Sequence, residues 1–304
     1  MNTPARLGLY GAGLAVLFVG AFAAAGAVVP QSTVDSWTQE AEGHDMGAEG
    51  AGGHGDAHAP AAPTAVRGVS SAQDGYLLTP VAAPDEVDES GTLSFRIHDA
   101  HGEALTSFAT EHDKELHLIV VRTDGSRFRH VHPTMAADGT WSLPWEWAAA
   151  GTYRVYADFV PGGEGEGDPV TLTRTVDVAG PFAPVVPVPA DVATVDGFTV
   201  ELVGDLAVGE SSQLTLSVSR GGEPVTTLQP YLGAFGHLVA LREGDLAYLH
   251  VHPEGDEPAA GETSGPEISF LAEAPTPGRY LLYLDFQVDG QVHSAPFVVD
   301  AHAH

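Results

Sequence analysis

The sequence contains no cysteine among its 304 residues. This absence excludes disulfide bonds, thiolate metal sites and cysteine nucleophiles, and it leaves the redox compartment of the protein open. Methionine is also scarce, with 3 copies. A metal ion bound to this chain must therefore be held by histidine, aspartate, glutamate or one of these few thioethers.

Basic side chains are also scarce in this sequence. The sequence has 12 Lys and Arg against 41 Asp and Glu, a formal net charge of −29, and Lys114 is its only lysine. So acidic a surface argues against nucleic acid and anionic lipid headgroups as partners. The negative charge either concentrates cations near the surface or serves solubility. A hydrophobic content of 43% is nevertheless sufficient for packed cores.

Residues 7–29 form an uncharged apolar stretch of 23 residues, preceded by Arg6. A helix needs about 20 such residues to cross a membrane, whereas the apolar region of a cleavable signal peptide has about 7–15. The length favours a transmembrane anchor with residues 1–6 as a cytoplasmic stub, although the small residues at 23–27 also suit cleavage. Both interpretations predict export: the chain is held on the extracytoplasmic side of the cell membrane, or is secreted if cleaved.

The next segment, residues 30–66, is rich in Ala, Gly and Pro and has acidic but no basic side chains. It shows no apolar period, which predicts a disordered tether that carries His44, His54 and His58. Its spaced histidines either catch metal ions weakly or are simply solvated.

The remainder of the chain is an internal duplication. Residues 67–180 and 191–300 repeat the same order of motifs, with a proline-rich linker at 181–190 and a tail at 301–304. The offset between equivalent residues is 122 at the start, 120 through the histidines and 127 at the end. The extra residues fall in the Gly-, Pro- and Glu-rich segment 254–266. Insertions in loops between fixed strands are typical of a true duplication.

Each copy consists of short β-branched and aromatic runs separated by turn signals such as Asp124-Gly125 and Asp138-Gly139. No amphipathic helix is visible after residue 30. We therefore predict an all-β fold of two tandem immunoglobulin-like β-sandwiches after an N-terminal transmembrane helix.

The histidines of the first copy are spaced so that they can converge. His130 and His132 leave the same face of a strand, because alternate side chains share a face. If a turn near Asp124 closes an antiparallel hairpin, the numbers of facing residues sum to about 249. His117 then lies opposite His132 and diagonal to His130, at Cβ separations of about 4.5–8 Å. Ile119 and Val121 share the face of His117, and this apolar face predicts that the histidine site lies at a strand end or at the rim of the sandwich.

The second copy repeats this spacing of 13 residues between the first two histidines. A matched aspartate also recurs in a Tyr-x-Asp-Phe strand, as a further ligand or as the acceptor for a ligand's outer N–H. The predicted metal site, one per repeat, comprises His117, His130, His132 and Asp158, and then His237, His250, His252 and Asp285.

Imidazole and carboxylate ligands without sulfur suit Zn²⁺ or copper, so we expect a copper or zinc ion as cofactor. The alternative is that the histidines serve only packing and hydrogen bonding. The unmatched histidines are predicted to be exposed by default, namely His98, His101, His112, His293, His302 and His304.

Segments 117–121, 128–133 and 156–161 resemble a set of bacterial secreted or membrane-anchored tandem β-sandwich proteins with His-Leu-x-x-Val and His-x-His-Pro motifs. Some of these are associated with heavy-metal handling, and a more distant similarity is to YtkA-like exported domains. The resemblance covers residues 70–180, and the second copy repeats the same motifs. It implies a role in metal handling, of copper in particular, at the cell surface.

Two functions follow as expectations. The first is a membrane-anchored, extracytoplasmic metal-binding module with metal ions as its partners. The alternative is a structural or interaction protein built from tandem Ig-like domains. An enzyme is not expected, because the sequence has no Gly-rich phosphate loop, nucleophile elbow, or kinase or zincin motif.

Overall fold

The computed structural model describes residues 66–163, 167–249, 251–259 and 261–302. The predicted cytoplasmic stub, the transmembrane segment and residues 30–65 of the tether lie outside this range, and so does His250. Every regular element in the described ranges is a β-strand. Within them, no helix is long and apolar enough to cross a membrane. The predicted all-β class is confirmed for this part of the chain.

The first repeat is built from ten short to medium strands. They are β1 (Ala72–Gln73), β2 (Tyr76–Leu78), β3 (Gly91–Phe95), β4 (Ile97–His98), β5 (His117–Arg122), β6 (Arg129–Val131), β7 (Thr134–Met135), β8 (Trp141–Trp145), β9 (Gly151–Phe159) and β10 (Val170–Val178).

In the described residues the second repeat has eleven strands, of which the last runs to His302, within the predicted tail. They are β11 (Val192–Val195), β12 (Phe198–Val203), β13 (Leu206–Ala207), β14 (Ser211–Arg220), β15 (Glu223–Pro224), β16 (His237–Arg242), β17 (Tyr248–Leu249), β18 (Val251–Pro253), β19 (Glu267–Glu273), β20 (Gly278–Val288) and β21 (Gln291–His302).

Each repeat has two layers of strands around its own apolar core. In the first repeat, the sheet β10-β9-β5-β6 forms one layer, and the small sheets β1-β2-β4 and β3-β8-β7 form the other. In the second repeat, the sheet β13-β21-β20-β16-β17 is opposed by the sheet β11-β12-β14-β19-β18, with β15 paired to β14. Trp141, Trp145 and Trp147 fill the first core, and Phe198, Phe270 and Phe297 fill the second. Alternating apolar side chains along the strands produce this sandwich-like arrangement.

The histidine hairpin has the predicted register. Leu118 pairs with Val131, Ile119 with His130 and Val120 with Arg129, so facing numbers sum to 249. The antiparallel hairpin closed around the Asp124-Gly125 turn is therefore confirmed.

Strand β5 is buried along its whole length because both of its faces are covered. Leu118 and Val120 point into the core of the first repeat. Ile119 and Val121 point the other way and join a separate apolar cluster that contains Val239 of the second repeat. The two repeats thus pack against each other through the outer faces of the sheets that contain β5 and β16. We call this separate group of apolar side chains the inter-repeat cluster. Its buried members are Ile119, Val121, Tyr156, Val239, Leu241, Leu246, Tyr248, Leu281 and Tyr283.

Aromatic side chains complete the contact between the repeats in a reciprocal way. Phe128 stacks on Tyr283 with ring centroids 4.0 Å apart and an interplanar angle of 2°. The Tyr156 hydroxyl donates to the carbonyl oxygen of Leu246 at 2.6 Å, and the Tyr283 hydroxyl donates to that of Gly125. Because Tyr156 and Tyr283 are equivalent positions, each repeat makes nearly the same contact on the other.

The linker runs beside a buried ion pair. Arg122 binds both carboxylate oxygens of Asp124, at 3.0 and 2.7 Å. The same two side chains hold the linker, since Arg122 donates to the carbonyl oxygen of Ala183 and Asp124 accepts from the amide of Val185. In the second repeat Arg242 likewise pairs with Asp245. Arg122 and Arg242 occupy equivalent positions 120 residues apart, and each pairs with an aspartate of the turn that follows its strand.

We expect the inter-repeat cluster to contribute to stability as a core does. Replacing Leu241, which is fully buried there, by Ala in the full-length protein should cost about 2–5 kcal/mol, because the truncation leaves a cavity between packed sheets. Urea denaturation gives the difference, with Val203→Ala as the control because Val203 is 59% exposed. Equal small losses in both variants would contradict the packing described above.

Candidate metal centre

Three imidazoles of the first repeat meet at the end of its hairpin. His117 begins β5, His130 lies within β6 and His132 follows it. The Nδ1 atom of His117 is 3.0 Å from Nε2 of His130 and 3.3 Å from Nε2 of His132. One ligand nitrogen from each of the three lies within 4.8 Å of the others. The predicted convergence of the first-repeat histidines is thus present in the structure.

A carboxylate from the second repeat reaches this cluster. Oδ2 of Asp285 lies 2.9 Å from Nδ1 of His130, and the two side chains are 1% and 0% exposed. The hydroxyl of Ser294 donates to Oδ1 of the same carboxylate. Asp285 therefore supports a histidine of the other repeat, which the sequence spacing did not predict.

Outer hydrogen bonds fix which nitrogens carry protons. A carboxylate accepts, so Nδ1 of His130 carries a hydrogen and donates it to Asp285. A carbonyl oxygen also only accepts, so Nε2 of His117 donates to Glu111 at 3.1 Å. When both rings are neutral, His117 Nδ1 and His130 Nε2 face each other with lone pairs only.

Burial keeps most of these imidazoles neutral. It lowers the pKa of His117 from 6.5 to about 3, and proximity to His130 adds to the effect. The same two causes lower the pKa of His132 to about 3. Burial, followed by the nearby His130, also places the pKa of His237 well below 6.5. Neutral imidazole is the form that binds metal ions.

His237 lies beside the triad although it belongs to the second repeat. Its ring is stacked on that of His117, with centroids 5.6 Å apart and an interplanar angle of 9°. Its centroid is 4.8 Å from that of His130. His237 is not one of the three residues whose nitrogens lie within 4.8 Å of one another.

Asp158 takes a different role from its counterpart Asp285. It pairs with His117 in the β5–β9 ladder, and it accepts a hydrogen bond from the hydroxyl of Thr171 at 2.7 Å. Burial raises the pKa of Asp158 to about 6. Tyr248 of the second repeat lines the same cavity as Asp158, and burial together with the nearby Asp158 carboxyl group raises the pKa of Tyr248. No described contact joins Asp158 directly to a triad imidazole.

The remaining second-repeat histidines do not form an equivalent cluster in the described residues. His252 is exposed in β18, where it pairs with Leu271 on the opposite layer from β16. His250 lies outside the described residues, and its predicted role stays a prediction. The described structure therefore brings His237 and Asp285 to the first-repeat triad and leaves His252 elsewhere.

The position at which the chain changes sheets explains this difference. In the first repeat the chain leaves the sheet of β5 and begins to pair with β8, in the other layer, at Thr134. The equivalent residue of the second repeat is Glu254. In the second repeat the chain already joins β19 at Val251, three residues earlier in the alignment. His132 precedes this crossover and stays at the cluster, whereas His252 follows it and is carried to the other layer.

Two histidines outside the predicted set differ in their surroundings. His112 is exposed as predicted, yet its ring lies 6.1 Å from that of His117 and 5.7 Å from that of His237. The expectation that His293 is exposed is wrong: it is 6% exposed, and its Nδ1 lies 2.8 Å from Asp196. Neither has a counterpart in the other repeat, so the duplication gave no signal for them.

These features define a class: an all-β protein with two sandwich-like domains in tandem. Residues 71–178 and 193–303 each match a family model described as a domain of unknown function, DUF8832. The chain therefore belongs to the DUF8832 family and carries its domain twice. Among curated proteins, none matches significantly.

Some solved structures have a loose likeness to this chain. The bacterial integrin-binding protein invasin is 15% identical, with a TM-score of 0.24 over 75% of this chain and 39% of its own. The fibronectin(III)-like modules of Clostridium thermocellum CbhA are 14% identical, with a TM-score of 0.20 over 75% and 94%. A putative membrane anchored protein from Corynebacterium diphtheriae is 10% identical, with a TM-score of 0.23 over 75% and 57%. The similarity to YtkA-like domains and the association with heavy metals stay predictions.

The lowered histidine pKa values make the metal-free protein less stable in acid. Above pH 6.5 neither state protonates these rings; as pH falls from 6.5 toward 3, the unfolded chain takes up protons that folded His117 and His132 do not. Asp158 has a raised pKa of about 6. Between its ordinary pKa and pH 6 it therefore makes the folded protein more stable as the pH falls, but this effect is smaller than that of the histidines.

We therefore expect the free energy of unfolding, measured by urea denaturation with a chelator present, to fall between pH 7 and pH 4.5. His117→Gln should make this dependence shallower by about 1 kcal/mol per pH unit, since one titrating group is removed. The exposed His101→Gln serves as the control. Parallel pH profiles for all three proteins would show that the imidazole of His117 is not held neutral by folding.

Proposed function

We propose that this protein binds one divalent transition-metal ion, Zn²⁺ or Cu²⁺, through His117, His130 and His132. The observation that carries the proposal is the 3.0 Å contact between Nδ1 of His117 and Nε2 of His130. Outer acceptors hold the protons of both rings on the far side, so neutral rings direct two lone pairs at each other. Such a contact is repulsive unless a cation relieves it, either a metal ion that both nitrogens coordinate or a proton on one of them.

The spacing of the nitrogens fits a metal ion. Bonds of about 2.0–2.1 Å in tetrahedral geometry separate two ligand nitrogens by about 3.3 Å. The distances from His117 Nδ1 to the other two nitrogens are 3.0 and 3.3 Å. The triad thus needs little rearrangement to coordinate an ion.

The environment also suits a cation. The Asp285 carboxylate is buried and accepts from His130, and a carboxylate behind a ligating imidazole fixes the ring and increases its basicity. Buried carboxylates require compensating positive charge, and within the described residues the nearest partners of Asp285 are Ser294 and His130. The positive charge of an ion bound by the triad would provide this compensation.

The proposed role is that of an extracytoplasmic module, attached to the membrane by residues 7–29 or secreted, that buffers or hands on metal ions. The sequence supports export through its apolar N-terminal stretch and supports cation capture through its net charge of −29. The proposed centre lies at the junction of the repeats, and the expected second centre with His250 stays a prediction.

A second candidate function is structural, and the His130–Asp285 pair favours it. If His130 is protonated, its Nε2 donates to His117 and its Nδ1 forms an ion pair with Asp285. A proton then takes the place of the metal ion, and the histidines serve only to join the two repeats. Metal titration distinguishes the two candidates.

We expect the full-length protein to bind close to one equivalent of Zn²⁺ or Cu²⁺ in calorimetric titration. His132→Ala should weaken binding roughly 100-fold, because two imidazoles hold these ions far less tightly than three. His252→Ala is the matched control, since this histidine is exposed on the other layer.

Saturating metal should also raise the melting temperature of the wild type, equivalent to about 2.7 kcal/mol at a hundredfold excess over Kd. The same addition should have much less effect on His132→Ala. Wild-type protein that neither binds these ions nor gains stability from them would leave the structural role as the function of the cluster.

A further inference from the structure

His237 has an unusual environment for a side chain of the second repeat. Its Nδ1 atom is buried and has no hydrogen-bond partner among the described residues. Buried polar atoms are nearly always paired, so an orphaned nitrogen indicates a missing partner. In the tautomer that carries its proton on Nε2, the lone pair of this Nδ1 atom is available to a cation.

The backbone brings His237 and Asp285 into the cluster together. The two residues pair directly across β16 and β20, so their side chains leave the same face of the sheet. This face packs on the first repeat through Val239 and Leu241. One imidazole and one carboxylate of the second repeat are thereby presented to the triad by the same pair of strands.

The ring of His237 also borders a small cavity. A cavity of about 40 Å³ between the repeats is lined by His237, His117, Asp158 and Tyr248. The His237 centroid is 4.8 Å from that of His130. A change in the side-chain torsions of His237, with β16 in place, would direct one of its nitrogens toward the triad.

We infer that His237 is the fourth ligand of the ion bound by His117, His130 and His132, so that the ion cross-links the two repeats. This inference rests on the proposed metal-binding function. It assigns the ligand class of the site as four neutral imidazoles, three from one repeat and one from the other. Asp285 then supports His130 from the same repeat that supplies the fourth ligand.

The test is the coordination of Cu²⁺ in the full-length protein. Electron paramagnetic resonance of the wild type should show four nitrogen ligands, and that of His237→Phe three, with copper affinity reduced roughly 10- to 100-fold. Phenylalanine keeps a flat ring for stacking on His117 but has no ligand atom. His112→Phe is the matched control, because this exposed ring lies 6.1 Å from that of His117 but has no buried nitrogen without a partner.

Each outcome decides between the claims. A wild type that binds copper, with an unchanged spectrum and affinity in His237→Phe, would overturn the inference and leave the triad with a water or other ligand. A wild type that binds no copper or zinc would overturn the proposed function and this inference with it. If the circular dichroism spectrum shows that His237→Phe does not fold, His237→Gln provides the same comparison with a smaller polar side chain.

Discussion

The contact between the outer faces of two sheets is the constraint on which the rest of the structure depends. Ile119 and Val121 from one repeat and Val239 and Leu241 from the other exclude water from a surface that an isolated sandwich would expose. This packing fixes the distance between β5 and β16, and with it the approach of Asp285 to His130. The chemistry at the end of the hairpin is therefore a product of apolar packing some residues away.

The sequence was sufficient for everything that depends on local periodicity. Alternation and turn signals predicted the all-β class, and the spacing around Asp124-Gly125 predicted the hairpin register. The register in turn predicted the convergence of His117, His130 and His132. What it could not provide was contact between distant surfaces. Apolar residues on both faces of β5 were a signal of a second buried face, but they do not identify the surface that covers it.

The difference between the repeats has a similar physical origin. Equal spacing from His237 onward predicted a second cluster, yet side-chain spacing is informative only while a strand keeps its partner. The chain leaves β16 for β19 three residues earlier than the corresponding crossover in the first repeat. Hydrogen bonding of the backbone to Leu271 and Phe270 decides this crossover, and no motif in the histidine segment encodes it.

The reciprocal tyrosine contacts have a consequence for the origin of the chain. Tyr156 donates to the main chain of the second repeat and Tyr283 to that of the first, so the surface is complementary to itself. Self-complementary surfaces are those through which identical subunits form two-fold dimers. A single-domain ancestor with this surface would have formed a homodimer with two equivalent histidine clusters. In a single chain the two halves need not be identical, so their histidine segments can differ as long as the complementary surface is kept.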